Sequence, residues 1–125
     1  MVAIIDDDES VRDGFVDFVR AMGLEAESFE CAEQFLQSGI VAETACVITD
    51  FRMPGMTGLD LRDHLVASGT PIPTIVVTAF PKETDRARAL RSGVTHYLAK
   101  PVDGNELSAC IAAALGPRNA DRSEG

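Results

Sequence analysis

Short apolar runs alternate along this chain with segments of helical periodicity, and no other feature limits its fold as strongly. The runs with strand character lie at residues 2–5, 25–29, 45–49, 73–78 and 95–98. Helical segments follow them, and several of these end at a glycine: Gly23, Gly39, Gly69 and Gly93. Because strands that alternate with helices pair in parallel, this order predicts an α/β sheet with helices on both faces.

The connections between these segments narrow the topology further. Right-handed crossovers leave few arrangements, and we predict a flavodoxin-like doubly wound sheet of five strands in the order 2-1-3-4-5. A chain of 125 residues fits one domain, which we place at residues 1–116. Gly116-Pro117 is expected to end the last helix, and residues 117–125 to form a polar tail or the start of a linker.

One predicted helix is basic and poor in apolar residues. It covers residues 82–92, bounded by Lys82 and Ser92, and its periodicity predicts that Ala87 and Leu90 face the core. Four of the 11 basic residues of the chain lie in it: Lys82, Arg86, Arg88 and Arg91. Taken alone, such a helix is equally typical of an ordinary solvated face.

Charge and cysteine content exclude several functions. The net charge of −9 argues against nucleic acid as a direct partner, because that binding depends on Lys and Arg that neutralise phosphates. No segment approaches the roughly 18 apolar residues of a membrane span. The cysteines Cys31, Cys46 and Cys110 lack metal-ligand spacing and are interpreted as small hydrophobic residues in a reducing cytoplasm.

Polar side chains follow the apolar runs at four predicted strand ends. Asp6 and Asp7 follow the first strand, and Asp50 ends the third and leads into a Pro-Gly turn. Thr78 ends the fourth strand and Lys100 follows the fifth. The carboxyl ends of parallel strands meet at one edge, where ligands collect. Carboxylates that converge repel one another without a cation, so we expect Mg²⁺ there, with Lys100 as a phosphate-binding charge.

Each of these residues also has an ordinary explanation when it is taken alone. The acidic run at residues 6–9 complements the dipole of a following helix, Lys100 is a solvated charge, and Thr78 reflects strand propensity. Their joint placement on one sheet edge favours the functional interpretation. The sequence has no G-x-x-x-x-G-K-[ST] loop and no G-x-G-x-x-G motif after a strand. His64 and His96 are isolated, which favours surface or boundary roles over catalysis.

Four motifs together resemble the receiver domain of two-component response regulators. They are Ile4-Ile5-Asp6-Asp7, Thr49-Asp50-Phe51-Arg52-Met53-Pro54-Gly55-Met56-Thr57-Gly58, Val77-Thr78-Ala79 and Tyr97-Leu98-Ala99-Lys100-Pro101. The resemblance spans residues 2–116, and the motifs occur in the order and spacing of that family. The stretch 49–54 is most similar to receivers of the nitrogen-regulatory and nitrogen-fixation types.

The resemblance implies a phosphoryl acceptor. Asp50 would take a phosphoryl group from a sensor histidine kinase or a phosphotransfer protein, and Lys100 and Thr78 would contact that group. A carboxylate needs no general base because it is already ionised at neutral pH. The family also implies a cis peptide bond between Lys100 and Pro101. Such a domain is not an enzyme in the usual sense, since it catalyses only its own phosphorylation and dephosphorylation.

The resemblance also implies a metal site. Asp7, Asp50 and the backbone carbonyl of Arg52 would bind Mg²⁺, and Asp6 would help through a water. Arg52 lies two residues after Asp50 and Phe80 two residues after Thr78. Both side chains are long or bulky, so we expect them to control access to the site.

Signalling requires an element with two states. By resemblance, Thr78 moves toward the phosphoryl group and Tyr97 turns inward behind it. This movement would alter the face formed by the helix at residues 82–92, the fifth strand and the fifth helix, which could form a phosphorylation-dependent homodimer. From the residues alone, a half-buried amphipathic ring is the favoured interpretation of Tyr97.

Two other functions are compatible with the sequence. The chain could be a receiver-like fold that binds partners without being phosphorylated, although its complete set of acidic, threonine and lysine residues argues against this. It could also be a metal-dependent phosphatase with an aspartyl intermediate. Such enzymes commonly carry a second carboxylate two residues after the nucleophile, where this chain has Arg52.

Overall fold

A single sheet of five strands forms the centre of the molecule. The computed structural model describes the backbone of residues 1–124 and the side chains of residues 1–115. In chain order the elements are β1 (Val2–Ile5), α1 (Glu9–Ala21), β2 (Ala26–Phe29), α2 (Ala32–Gln37), a 3₁₀ turn (Val41–Glu43), β3 (Cys46–Asp50), α3 (Gly58–Ala67), β4 (Thr74–Thr78), α4 (Glu83–Arg91), β5 (His96–Ala99) and α5 (Gly104–Glu124).

The strands are parallel and lie in the order β2-β1-β3-β4-β5. The predicted strand order is therefore confirmed, with β2 and β5 at the two edges. The register pairs Ile5 with Thr49, Asp50 with Val77, and Thr78 with Ala99. Consecutive strand ends are thus level with one another, so the residues that end them meet at one edge of the sheet.

Alternate residues of β1 pack into two different core clusters. Val2 and Ile4 pack with residues of α1 and α5, whereas Ala3 and Ile5 pack with residues of α2 and α3. This division follows from the strand period of two, which sends neighbouring side chains to opposite faces. The buried residues are mostly aliphatic, and they cover both faces as a parallel sheet requires.

Helix α4 packs differently from the prediction. Ala89 is fully buried against Val76 and Tyr97, whereas Ala87 is exposed and Leu90 is 42% exposed. The prediction that Ala87 and Leu90 face the core is therefore wrong. With so few apolar residues in the helix, periodicity alone does not select its inner face. The small Ala89 side chain permits close packing on the sheet, and Leu90 stays near solvent.

The last helix also differs from the prediction. Gly116-Pro117 was expected to end it, but the backbone of α5 continues to Glu124. Proline lacks an N–H and removes one hydrogen bond of a helix, but the residues after it can still form theirs. The assignment of residues 117–125 as a tail or linker stays a prediction, since their side chains lie outside the described residues.

Candidate functional site

Three carboxylates converge at the carboxyl edge of the sheet. Asp6 and Asp7 follow β1, and Asp50 is the last residue of β3. Oxygen atoms from all three lie within 4.8 Å of one another. Asp6 is 1% exposed, Asp50 is partly buried and Asp7 is exposed. The sheet therefore brings together the acidic residues that the sequence predicts.

Both oxygens of the buried Asp6 carboxylate accept hydrogen bonds. Its Oδ1 accepts a hydrogen bond of 2.9 Å from the backbone N–H of Asp8, and its Oδ2 accepts one of 2.8 Å from Lys100 Nζ. Its backbone carbonyl accepts a 2.7 Å hydrogen bond from Arg12 Nη1. A buried charge is tolerated only with such partners, so this set explains how Asp6 remains inside the protein.

Lys100 connects two of the carboxylates. Its Nζ lies 2.8 Å from Asp6 Oδ2 and 3.3 Å from Asp50 Oδ2. Burial lowers the pKa of the Lys100 ammonium, but its contacts with Asp6 and Asp50 outweigh burial and raise that pKa overall. The peptide bond between Lys100 and Pro101 is cis. Lys100 therefore places a positive charge between the acidic groups.

The Asp50 carboxylate is partly accessible to solvent and lies next to the Lys100 ammonium. Its Oδ1 accepts a 3.3 Å hydrogen bond from the backbone N–H of Arg52. Burial raises the pKa of the Asp50 carboxyl, and the Lys100 charge partly offsets this increase. Gly58 is required nearby, because a Cβ at that position would lie 2.9 Å from the backbone oxygen of Asp50.

Thr78 ends β4, the strand next to Asp50, and Tyr97 lies on β5, one strand further out. Thr78 is 2% exposed, and its Oγ1 accepts a 3.2 Å hydrogen bond from the backbone N–H of Phe80. Tyr97 is turned inward, 6% exposed, with its ring edge-on to Phe51 at 6.0 Å. Its Oη accepts a long hydrogen bond of 3.5 Å from the backbone N–H of Lys82, at the start of α4. Tyr97 thus connects the sheet to that helix.

Arg52 and Phe80 are the residues predicted to control access to the site, and both side chains point outward. The Arg52 guanidinium pairs with Asp85 of α4 at 3.2 Å and lies 5.3 Å from the centre of the Phe51 ring. Phe80 is 72% exposed. Arg52 therefore lies against α4, and the structure brings neither side chain into hydrogen-bond contact with Asp50 among the residues it describes.

Sequence reasoning missed three residues that support the site: Arg12, Glu33 and Asp85. Arg12 binds the Asp6 carbonyl, and its position four residues after the helix cap Asp8 was a signal that could have found it. Asp85 pairs with Arg52, and Glu33 accepts a 3.2 Å hydrogen bond from the backbone N–H of Met56. The contacts of Glu33 and Asp85 span long sequence separations, so no local pattern indicates them.

The donor atoms fit a hard divalent cation. The site offers carboxylate oxygens, which Mg²⁺ prefers, and the exposed Asp7 would leave room for water ligands on a bound ion. Lys100 already balances part of the negative charge, so the cluster does not depend on a metal alone.

Within the described residues, none of the helices combines the length and hydropathy that a membrane span requires.

Comparisons with known proteins agree with this geometry. The family model of the response regulator receiver domain matches residues 2–112. The transcriptional regulatory protein FixJ of Azorhizobium caulinodans is 34% identical over 115 residues, which are 92% of this chain and 54% of that protein. Nodulation protein W of Bradyrhizobium diazoefficiens is 33% identical over 91% of this chain and 50% of its own length. The chain spans about half the length of these curated relatives.

Solved structures of response regulators are also similar to this chain. The response regulator StyR is similar with a TM-score of 0.85 and 36% identity, covering 98% of this chain and 62% of that one. FixJ-N is similar with a TM-score of 0.80 and 28% identity, covering 90% of each chain. The predicted resemblance to receivers of the nitrogen-fixation type is thereby confirmed. This chain belongs to the response regulator receiver domains of two-component systems.

Proposed function

We propose that this receiver accepts a phosphoryl group on Asp50 and that phosphorylation changes a surface built around α4. The observation that carries the proposal is the position of Lys100, whose Nζ contacts both Asp6 and Asp50 at the carboxyl edge of the sheet. A partly exposed carboxylate beside a fixed ammonium and two further acidic groups suits phosphoryl transfer, which depends on positioning and charge neutralisation.

The transfer needs little covalent chemistry from the protein. An Oδ atom of Asp50 forms a bond to phosphorus while the bond between phosphorus and the histidine nitrogen of the donor breaks. The imidazole leaves with that electron pair. Lys100 would then neutralise charge on the phosphoryl oxygens, and the Thr78 hydroxyl would donate a hydrogen bond to one of them. Among the described residues, the Thr78 Oγ1 takes part only as the acceptor of the Phe80 N–H, so its hydroxyl hydrogen is available for this bond.

The acidic cluster is proposed to bind Mg²⁺. Asp7, Asp50 and the Arg52 carbonyl would hold the ion, with Asp6 acting through water. A bound Mg²⁺ would add positive charge beside the phosphoryl oxygens. The hard oxygen donors and the exposure of Asp7 support this assignment.

We place the domain among signalling switches rather than enzymes that act on other substrates. Its only catalysis would be its own phosphorylation and dephosphorylation. A sensor histidine kinase or a phosphotransfer protein would be the donor, in the cytoplasm. A direct role in nucleic acid binding is disfavoured by the net charge of −9.

The output surface is proposed to include α4, β5 and α5. The basic side chains of α4 are exposed: Arg86, Arg88 and Arg91. Tyr97 and Arg52 both contact the start of α4, which gives the site two connections to this helix. A second phosphorylated copy is the partner that we propose for the surface.

Intact mass measurement tests the phosphoryl acceptor. With acetyl phosphate and Mg²⁺, the parent should gain one phosphoryl group, Asp50→Asn should gain none, and the exposed control Asp63→Asn should behave as the parent. Full labelling of Asp50→Asn would contradict the assignment. A parent that never labels would favour a domain that binds partners without phosphorylation, and continuous phosphate release with turnover would favour a phosphatase.

A further inference from the structure

The loop between β3 and α3 contains Arg52, whose backbone carbonyl is a proposed metal ligand. A side chain of α2 binds this loop. Glu33 lies in the first turn of α2, and its Oε2 accepts a 3.2 Å hydrogen bond from the backbone N–H of Met56, 23 residues away. The other described hydrogen bonds of residues 53–57 join them to residues 49–61. Glu33 is therefore the hydrogen-bond acceptor that connects this part of the loop to α2.

Gly55 shows how closely the carboxylate approaches the loop. Its φ of +81° lies in the left-handed region, which favours glycine. A Cβ on Gly55 would also lie only 2.9 Å from Glu33 Oε2. The space beside the loop backbone is thus occupied by the Glu33 carboxylate.

The hydrogen bonds to the Glu33 carboxyl favour its ionised form, in which both oxygens are acceptors. The backbone N–H of Glu33 itself, followed by that of Met56, holds the pKa of the Glu33 carboxyl below its usual range. Apolar packing supports the same contact, because Met53 and Met56 lie in one cluster with Phe35 of α2. An ionised carboxylate and an apolar cluster thus fasten the loop to α2.

We propose that Glu33 is a positioning residue for the metal and phosphoryl site. It would hold the loop so that the Arg52 carbonyl stays beside Asp50, and this inference rests on the function proposed above. Its effect would pass through the Met56 hydrogen bond, which requires both an acceptor atom and the reach of the full glutamate side chain. If Glu33 only stabilised the fold, Mg²⁺ affinity would not depend on the acceptor atom and on the length of this side chain.

Three variants of Glu33 separate these requirements. Glu33→Ala removes the acceptor, Glu33→Asp keeps the charge but shortens the side chain, and Glu33→Gln keeps an acceptor oxygen without the charge. Glu43→Ala is the matched control, since it removes an exposed carboxylate in the 3₁₀ turn. Each ¹⁵N-labelled protein is titrated with Mg²⁺ while the amide signals of residues 50–53, 55 and 56 are followed by NMR.

We expect Glu33→Ala and Glu33→Asp to weaken Mg²⁺ binding by about three- to tenfold, the range for one lost hydrogen bond. The Met56 amide signal should move upfield in both. Glu33→Gln should bind Mg²⁺ within about twofold of the parent, because a neutral acceptor retains most of the bond. Glu43→Ala should match the parent in affinity and in the Met56 signal.

The outcomes distinguish this inference from the proposed function. If the parent binds Mg²⁺ and is phosphorylated while Glu33→Ala and Glu33→Asp bind equally well, the positioning role is wrong and the phosphoryl acceptor stands. Equal weakening in Glu33→Gln and Glu33→Ala would also overturn it, because charge alone would then matter. If the parent neither binds Mg²⁺ nor accepts a phosphoryl group, the proposed function itself fails.

Discussion

The guanidinium of Arg52 lies 3.2 Å from the carboxylate of Asp85, across 33 positions of sequence. Asp85 is in the first turn of α4 and Arg52 is two residues after Asp50, so the ion pair joins the loop at the site to this helix. Because the Arg52 side chain is 56% exposed, the pair should stabilise the fold by only about 0.2–1 kcal/mol. Its main consequence is geometric, since it holds the Arg52 side chain against α4.

The first prediction concerns the lifetime of the phosphorylated state. Hydrolysis needs a water in line with phosphorus, and Arg52 and Phe80 follow two strand ends that flank that approach. We expect Arg52→Ala and Phe80→Ala each to shorten the lifetime by about threefold, or about 0.6 kcal/mol in the barrier. The decay of the phosphorylated mass after removal of acetyl phosphate measures this.

Asp85→Asn is the informative companion variant. It releases Arg52 from α4, so the guanidinium becomes free to approach the phosphoryl oxygens, and the lifetime should lengthen. Unchanged lifetimes in both alanine variants would show that shielding by Arg52 and Phe80 is wrong. Both side chains point outward in this structure, so shielding requires that they turn toward the phosphoryl group after phosphorylation.

The second prediction concerns Lys100. In Lys100→Ala the buried Asp6 carboxylate loses its ammonium partner, which should reduce the free energy of unfolding by about 3 kcal/mol. Mg²⁺ should bind at least as tightly as in the parent, because no ammonium competes for Asp6 and Asp50. Added Mg²⁺ should therefore raise the Tm of Lys100→Ala more than that of the parent. The coupling between phosphorylation and the output face should be lost.

Thermal unfolding with and without Mg²⁺ measures this effect. Lys82→Ala is the matched control, since it removes the other lysine of the chain at an exposed position. A smaller Mg²⁺-dependent rise in Lys100→Ala than in the parent would mean that Lys100 cooperates with the metal instead of competing with it.

The third prediction concerns self-association through α4. We expect phosphorylated or beryllofluoride-treated protein to dimerise, and the dimer to weaken as salt rises past about 0.15 M, where the screening length is about 8 Å. The exposed basic residues of α4 would face acidic groups such as Asp103 and Glu106 of a second copy. Sedimentation of a variant with Arg86→Glu and Arg91→Glu should therefore show a monomer.

Glu43→Arg provides a control for a change of charge outside α4 and should leave the dimer intact. If the parent shows no activation-dependent dimer, self-association is ruled out and the surface must serve another partner. If the dimer survives the charge reversal on α4, this helix is not the interface.

The fourth prediction concerns thiol reactivity. Burial, with a smaller contribution from Cys110, raises the pKa of Cys46 to about 12, and burial also raises the pKa of Cys110. Both thiols therefore stay protonated at pH 8 and should gain reactivity only as the pH rises well above that value. Iodoacetamide should label the folded protein once, at the partly exposed Cys31, and three times in denaturant. Mass spectrometry gives the number, and rapid labelling of Cys46 at pH 8 would contradict its burial.

Much of the fold was predictable because local patterns repeat along the chain. Strand runs of apolar residues, helices ended by glycines and the right-handed crossover rule leave few arrangements, and the order chosen among them, 2-1-3-4-5, is confirmed by the structure. The positions of Asp6, Asp50 and Lys100 at one edge follow from the same reasoning, since each follows or ends a strand. The acceptor role of Asp50 was expected from the resemblance and stays a prediction until it is measured.

The sequence by itself determined which elements form and which residues reach the carboxyl edge, because strand and helix periods depend on neighbouring residues. Only the tertiary structure decided that Ala89 is the inward residue of α4, that Arg52 pairs with Asp85, and that Glu33 holds Met56. These contacts depend on how each helix is rotated and placed on the sheet. That placement results from packing between distant parts of the chain, which no local pattern records.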